Sequence, residues 1–335
     1  MNELHPVPLT FPPASSQADT LEACKKYKVK PPSLNADFLE ETLKKTTIDP
    51  DVQASIVRGW REGFDLGSHL PAENHFAKDA KYRTEAQNNT LMKNLEEEKV
   101  AGIMHGPMTE PYVDGRWFHN YWVSPYFVIP KTTPEGAAQR WRLIHHLSFH
   151  NSGERWQSLN GHIDLEEYPT YFPTVYTGAH LVFCLANPGS ALIGRDIRNY
   201  YRNFLVNPYC WWQTYTYVLG SYWFNPYLPF GASSCTAIAQ RQSDTIRTIA
   251  TVYGVEAMSV AMLDDFLLVC KRRFHDSDET VLDRGRREEE KFDSLLAKLN
   301  LPKAPEKDQP SNFKTTWFGC EFNSKETTLG VPHKK

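Results

Sequence analysis

The chain has no apolar run near the roughly 20 residues needed to cross a bilayer. Its start, Met1-Asn2-Glu3-Leu4-His5-Pro6, lacks the basic flank and apolar core of a secretory leader. The cysteines (Cys24, Cys184, Cys210, Cys235, Cys270 and Cys320) are scattered, without Cys-x-x-Cys or Cys/His zinc spacing. Excess positive charge is missing too: 37 Lys and Arg stand against 40 Asp and Glu, for a net charge of −3. No global basic field advertises nucleic-acid binding, so any such binding must use a local groove. No internal repeat is visible. These absences predict a soluble intracellular protein of the cytoplasm or nucleus, with reduced thiols that are mostly small buried hydrophobes.

With 335 residues, 41% of them hydrophobic, the chain can bury a large core in one domain or a few subdomains. Residues 1–33, rich in Pro, Ser and Lys and without periodicity, read as a flexible N-terminal arm. Residues 34–115 read as a helical extension: Phe38, Leu39 and Leu43, then Ile56, Trp60 and Phe64, then Leu91, Met92 and Leu95 recur at helical spacing. Strand character begins at Trp122, with a predicted hairpin of residues 125–131 and 141–147 and a buried strand over 191–195. An aromatic hairpin is predicted over 211–224, turning near Gly220-Ser221. A long helix over 233–252 carries Ala237, Ile238, Ile246, Ile249 and Ala250 on its apolar face. A hairpin over 260–269, an amphipathic helix over 288–299 and a strand over 316–322 complete the pattern. This order predicts an α+β fold around an antiparallel sheet.

Two adjacent carboxylates, Asp264 and Asp265, interrupt the apolar run from Val260 to Val269. An ionised acid inside such a strand is costly unless something cationic sits against it. A tight hairpin that lifts the pair to the sheet end resolves the conflict, leaving the acids to face water or to hold a hard divalent metal. Asp196 follows a second apolar run, Ala191-Leu192-Ile193-Gly194. Two strand-end acid sites separated by a long insertion point to a metal-assisted phosphoryl-transfer site. The plainer alternative is a polar turn at Asp264-Asp265 and a helix cap at Asp196.

The order Trp141-Arg142-Leu143-Ile144-His145-His146-Leu147-Ser148, Asp196-Ile197, Leu228-Pro229-Phe230-Gly231, Leu263-Asp264-Asp265 and Trp317-Phe318-Gly319 resembles a retrotransposon reverse transcriptase, in particular that of tyrosine-recombinase (DIRS-type) elements. Upstream, Gly59-Trp60-Arg61-Glu62-Gly63-Phe64 and Leu95-Glu96-Glu97-Glu98-Lys99 resemble the region preceding that domain. Each motif is weak alone, while their common order across residues 50–332 is specific.

The resemblance implies a right-hand polymerase: an antiparallel palm sheet with fingers over 116–322, the helical extension before it, and the start of a thumb or connection in 323–335. The implied activity is RNA-directed DNA polymerisation, adding deoxynucleotides to a DNA or RNA primer on an RNA template. Two Mg²⁺ ions, or Mn²⁺, would be the cofactors. RNase H and recombinase domains would lie outside this chain, and no membrane is involved. Asp196, Asp264 and Asp265, with the Ile197 carbonyl, match the metal ligands, and Lys307 matches a general acid for the leaving pyrophosphate. Lys131 and Arg142 match the residues that grip the triphosphate. Tyr201 matches the gate against a ribose 2′-hydroxyl, Phe230 and Gly231 the pocket floor, and Trp317, Phe318 and Gly319 the primer grip.

Three positions depart from the family pattern: Tyr200 replaces a small residue, Met262 a Tyr, and Thr236 a frequent Pro. Tyr200 either narrows the nucleotide pocket or packs away from it. These departures leave open a second reading, a truncated or host-retained fold serving as a nucleic-acid-binding or interaction module. The simpler readings of the remaining residues are ordinary ones. Lys131 and Arg142 form a solvated pair, Gly231 a turn, and Trp317 a core ring; His145 and His146 are one buried and one exposed strand residue.

Overall fold

The computed structural model describes residues 15–77, 83–130, 141–150 and 158–331. The N-terminal segment is not the flexible arm that its composition predicts. Within the stretch read as a flexible arm lies helix α1 (Gln17–Tyr27), capped by Ser16, whose side chain accepts from the Asp19 N–H. Ala23, Cys24 and Tyr27 are buried. The Tyr27 ring lies 4.9, 6.1 and 5.1 Å from Tyr112, Trp117 and Phe118, and its hydroxyl donates to the Asp114 carboxylate. The apolar stripe of α1 is too short to declare itself by periodicity, and its partners come from a loop about 90 residues downstream.

Helices α2 (Ala36–Leu43) and α3 (Pro50–Glu62) bury Leu39, Leu43, Ile56 and Trp60 as their spacing predicts. Strand β1 (His75–Phe76) is followed by α4 (Glu85–Val100), opened by a reciprocal Thr84/Gln87 capping box. Then come β2 (His105–Met108), β3 (Trp122–Val123), and β4 (Tyr126–Pro130) with β5 (Trp141–His145) as an antiparallel pair. Helix α5 (Val175–Ala179) continues into a π-helical turn, His180–Leu185, before β6 (Ala191–Asp196).

The aromatic hairpin is β7 (Tyr215–Val218) and β8 (Ser221–Phe224); Trp211 belongs to a preceding 3₁₀ turn, because Pro208 starts a helical turn there rather than a strand. Helix α6 (Ser233–Tyr253) ends at Gly254 in the left-handed region. Strands β9 (Met258–Met262) and β10 (Asp265–Cys270) form the acid-bearing hairpin. Helix α7 (Asp278–Lys298) starts ten residues earlier than its apolar pattern, at a Ser277 cap. The last elements are β11 (Gln309–Asn312), β12 (Lys314–Trp317), β13 (Cys320–Asn323) and β14 (Thr328–Gly330). The predicted single strand over 316–322 is therefore a hairpin, turning where Phe318 and Gly319 both take positive φ (51° and 72°), the backbone a two-residue turn requires.

Among the described residues the sheets run β1-β3-β7-β8-β2, β11-β6-β10-β9, β12-β13-β14 and β4-β5. The second is antiparallel throughout and has both faces covered. Ile193, Ala261, Phe266 and Leu268 pack with Phe292, Leu295 and Leu296 of α7 and with α6. Leu192, Val260, Leu267 and Val269 pack with Trp317, Phe322 and Val182. That double burial is why these strands read as unbroken apolar runs. The fold is mixed α+β, as its pattern predicts. No helix among the described residues is long and apolar enough to cross a membrane.

The docked α1 is open to test. Tyr27→Ala should lower unfolding stability by about 3 kcal/mol in urea titration, as expected for an aromatic ring removed from a core. A midpoint equal to wild type would mean that the N-terminal segment is not packed.

Candidate active site

The strand period decides which way the acids point. On β10, Leu267 and Val269 face the Trp317 side, so Asp265, two residues before Leu267, faces it as well. On β6 the same parity groups Leu192, Gly194 and Asp196, while Arg195 points oppositely into α7, bonded to Asp293 (2.8 Å) and Glu289. Asp196 and Asp265 are direct partners in the β6–β10 register, hence two carboxylates side by side on one face. Asp264 sits in the turn just before β10. Its carbonyl accepts from the Ile197 N–H (3.0 Å), and its carboxyl feels the Asp196 carboxylate as a like charge.

The electrostatics follow from that crowding. Burial, then the Asp196 charge, raises the Asp264 pKa. Burial also pushes Asp265 up to about 6, against a stabilising bond from the Phe318 N–H (3.1 Å). Lys307 is the counter-charge, its Nζ lying 2.9 and 2.8 Å from the two Asp196 carboxylate oxygens. Burial opposes the charge on Lys307, but the Asp196 contact outweighs it and raises the ammonium pKa. The loop carrying Lys307 is strapped to the end of β6, Ala304 N–H donating to Asp196 O (2.9 Å) and Arg198 N–H to Pro302 O (2.8 Å).

A cleft of about 830 Å³ opens beside Asp264 and Lys307 and reaches Tyr201, Phe230, Trp141 and Glu98. The Tyr201 ring lies 4.5 Å from that of Phe230, and its hydroxyl is 3.4 Å from Thr236 Oγ1, so the Thr departure supplies a partner to the ring. Phe230 is 50% exposed, toward the cleft. Tyr200 packs inward against Phe204 and is 3% exposed, so its bulk is absorbed by the core. Gly231 takes φ +123°, and a Cβ there would lie 2.1 Å from the His145 carbonyl oxygen of β5. Only glycine permits that approach. His145 is buried and stacked on Tyr126, while His146 is half-buried.

Trp317 is fully buried, with its indole N–H donating to the Asp265 carbonyl (2.9 Å), whereas Phe318 is 44% exposed at the turn tip beside Asp265. Ile197 is buried and ties the two acid-bearing segments together. Lys131 lies outside the described residues. Arg142 pairs with Ile129 in the β4–β5 ladder, and its side chain is outside the description.

Some residues of the site escape sequence reading. Glu98 of α4 grips Arg202 through both carboxylate oxygens (3.0 and 2.9 Å), bracing the turn that carries Tyr201. Asn160 joins Ser148 Oγ, the Gly231 carbonyl and the Ser233 N–H (2.7, 2.7 and 3.0 Å), capping α6, whose own N-cap Ala232 cannot do so. Gln240 accepts from Leu263 N–H (2.9 Å) and donates to Ala261 O (3.0 Å). A polar residue on the buried face of a helix is the one signal that could have found Gln240.

The carboxylates suit a magnesium-sized cation, which keeps several waters and takes one or two protein carboxylates plus substrate oxygens. Among the described residues no three His, Cys, Asp or Glu side chains form a cage sufficient by itself. Asp196 and Asp264, with Asp265 beside them, are the groups that would hold such an ion.

No family model matches the chain, and neither does any curated protein. Solved structures do match. The foamy viral protease–reverse transcriptase dRH in complex with double-stranded DNA aligns over 92% of this chain and 50% of its own, at TM-score 0.54 and 13% identity. The foamy viral protease–reverse transcriptase in complex with an RNA/DNA hybrid aligns over 92% of this chain and 38% of its own, at TM-score 0.54 and 14% identity. The fold is reverse-transcriptase-like. The chain spans half or less of these two proteins, and at such identity the likeness is one of polymerase-like architecture.

Asp265 supplies a pH test. Its folded pKa is raised from 3.8 to about 6, so the fold favours the protonated acid. The penalty is absent below the unfolded pKa and grows as pH rises through the folded one. In metal-free protein near pH 7.5, Asp265→Asn should therefore be more stable than wild type by about 3 kcal/mol at most, the gap closing below about pH 4. Denaturant titrations across that range would read it, and a pH-independent gap or a destabilised variant would contradict the assignment.

Proposed function

We propose that the chain is the fingers–palm core of an RNA-directed DNA polymerase, adding deoxynucleotides to a primer on an RNA template. The observation that carries this reading is the meeting of Asp196, Asp264 and Asp265 at one sheet end beside an open cleft, in a reverse-transcriptase-like fold. On this reading the β11-β6-β10-β9 sheet is the palm and the β4–β5 hairpin belongs to the fingers. The resemblance of its motifs to those of DIRS-type retrotransposons supports an origin among such elements.

Bound Mg²⁺, as two ions, would supply charge stabilisation to the attacking and leaving oxygens of an in-line displacement. The protein's own contribution is to hold and orient. Asp196 and Asp264 present carboxylate oxygens from neighbouring segments, and Asp265 adds negative charge behind them. Tyr201, fixed against Phe230, sits where it excludes a ribose 2′-hydroxyl by bulk. Lys307, held against Asp196, would be the group placed to protonate the departing pyrophosphate. Lys131 and Arg142 extend the grip to the triphosphate. Phe318, at the turn tip beside Asp265, faces the primer end.

A second reading, a reverse-transcriptase fold retained for binding or interaction, is favoured by the Lys307 contact with both Asp196 oxygens, which any metal must break. Primer extension separates the two. Wild type with Mg²⁺, dNTPs and a primed RNA template should extend the primer, and Asp264→Asn should lose at least about 100-fold, since charge stabilisation dominates phosphoryl transfer. Equal signal from both proteins, or none from soluble wild type, removes the polymerase reading. A parallel DNA template tests template choice.

A further inference from the structure

Tyr200, the departure with the largest change in size, is absorbed by the core, but its hydroxyl is not idle. It lies 2.7 Å from Ser243 Oγ on α6, and Ser243 Oγ lies 2.6 Å from the carbonyl oxygen of Leu263. Ser243 has one proton to give and the carbonyl can only accept, so Tyr200 is the donor to Ser243. The chain of donation runs Tyr200 to Ser243 to Leu263. The Ala239 carbonyl lies 3.2 Å from both hydroxyl oxygens as a weaker acceptor.

Leu263 is the residue before the acid pair, and it takes φ +55°, a left-handed conformation costing a non-glycine residue about 1 kcal/mol or more. Both its peptide groups are held from α6: the carbonyl by Ser243 and the N–H by Gln240. Tyr200, Gln240 and Ser243 are all buried, and the Tyr200–Ser243 bond with them, while the two bonds to Leu263 lie part-buried at the turn, so a bond left unmade strands a buried polar group.

We infer that Tyr200 is a positioning residue whose hydroxyl, acting through Ser243, locks the Leu263 turn that presents Asp264 and Asp265. The extra ring thereby links the turn carrying the Tyr201 gate to the turn carrying the acids. The kinetic half of this inference rests on the polymerase reading; the conformational half rests on the hydrogen bonds alone.

Tyr200→Phe keeps the ring and removes only the donor, and Ser243→Ala removes the same link from its other end. In metal-free full chain, hydrogen–deuterium exchange of the segment 258–266 should quicken at least about 10-fold in both variants, with α7 unchanged, because the turn opens locally rather than globally. In primer extension both should lower kcat by about 10-fold while KM for dNTP stays within about 2-fold, the mark of lost alignment rather than lost binding. Wild-type exchange in both variants overturns the relay whatever the enzyme does. A change confined to KM overturns the positioning role. Faster exchange in the variants of an inactive wild type supports the relay and overturns the polymerase reading.

Discussion

Asp196 and Asp265 stand opposite one another on neighbouring antiparallel strands, where like charges repel, and Asp264 is pressed against the same point from the turn. Much of the surrounding structure answers that repulsion. Lys307 bridges the Asp196 oxygens, the Phe318 N–H donates to Asp265, and the loop 302–308 is tied to β6 so that Lys307 stays in reach. These contacts neutralise one acid well and leave the other two with raised pKa values. A site built to be stable in isolation would place a second cation there. This one keeps the acids close and partly uncompensated, a loss of stability that suits the proposed function.

The reverse face of the sheet is arranged to make that geometry compulsory. Arg195, adjacent to Asp196 in sequence, is buried against α7 and bonds Asp293, Glu289 and the Gly194 carbonyl. A buried ion pair of this kind adds little net stability. It does, however, forbid a one-residue slip of β6, which would turn Arg195 toward the acids and bury Asp196 among the acidic residues of α7. Register specificity and acid placement are thus the same constraint. From above, α6 contributes polar side chains to the Leu263 turn, and Asn160 pins the start of that helix to the Gly231 carbonyl.

What could be read from residues alone divides along physical lines. The acid hairpin, β6, α3 and α6 were legible because a strand buried on both faces is a continuous apolar run and a packed helix repeats at 3.6 residues. Asp196, Asp264 and Asp265 declared themselves by the cost of an acid in such a run. Helix α1 stayed hidden because its stability comes from Trp117 and Phe118, far along the chain, not from its own pattern. The Phe318-Gly319 turn is invisible to strand periodicity, because Phe is seldom found at positive φ, and only the primer-grip resemblance pointed to a hairpin there. Glu98, Asn160, Gln240 and Ser243 act through single long-range hydrogen bonds, which leave no periodic trace.

The central proposal is that Asp196 and Asp264, with Asp265 beside them, would hold a divalent cation together with substrate oxygens, at the point where Lys307 now stands against Asp196. Thermal unfolding with added Mg²⁺ or Mn²⁺ tests it without reference to catalysis. A cation that binds only the folded state should raise the wild-type Tm progressively through the millimolar range, by linkage. The Asp196→Asn/Asp264→Asn protein, though folded, should not respond. Identical responses from the two proteins, or no response from wild type, would contradict the account.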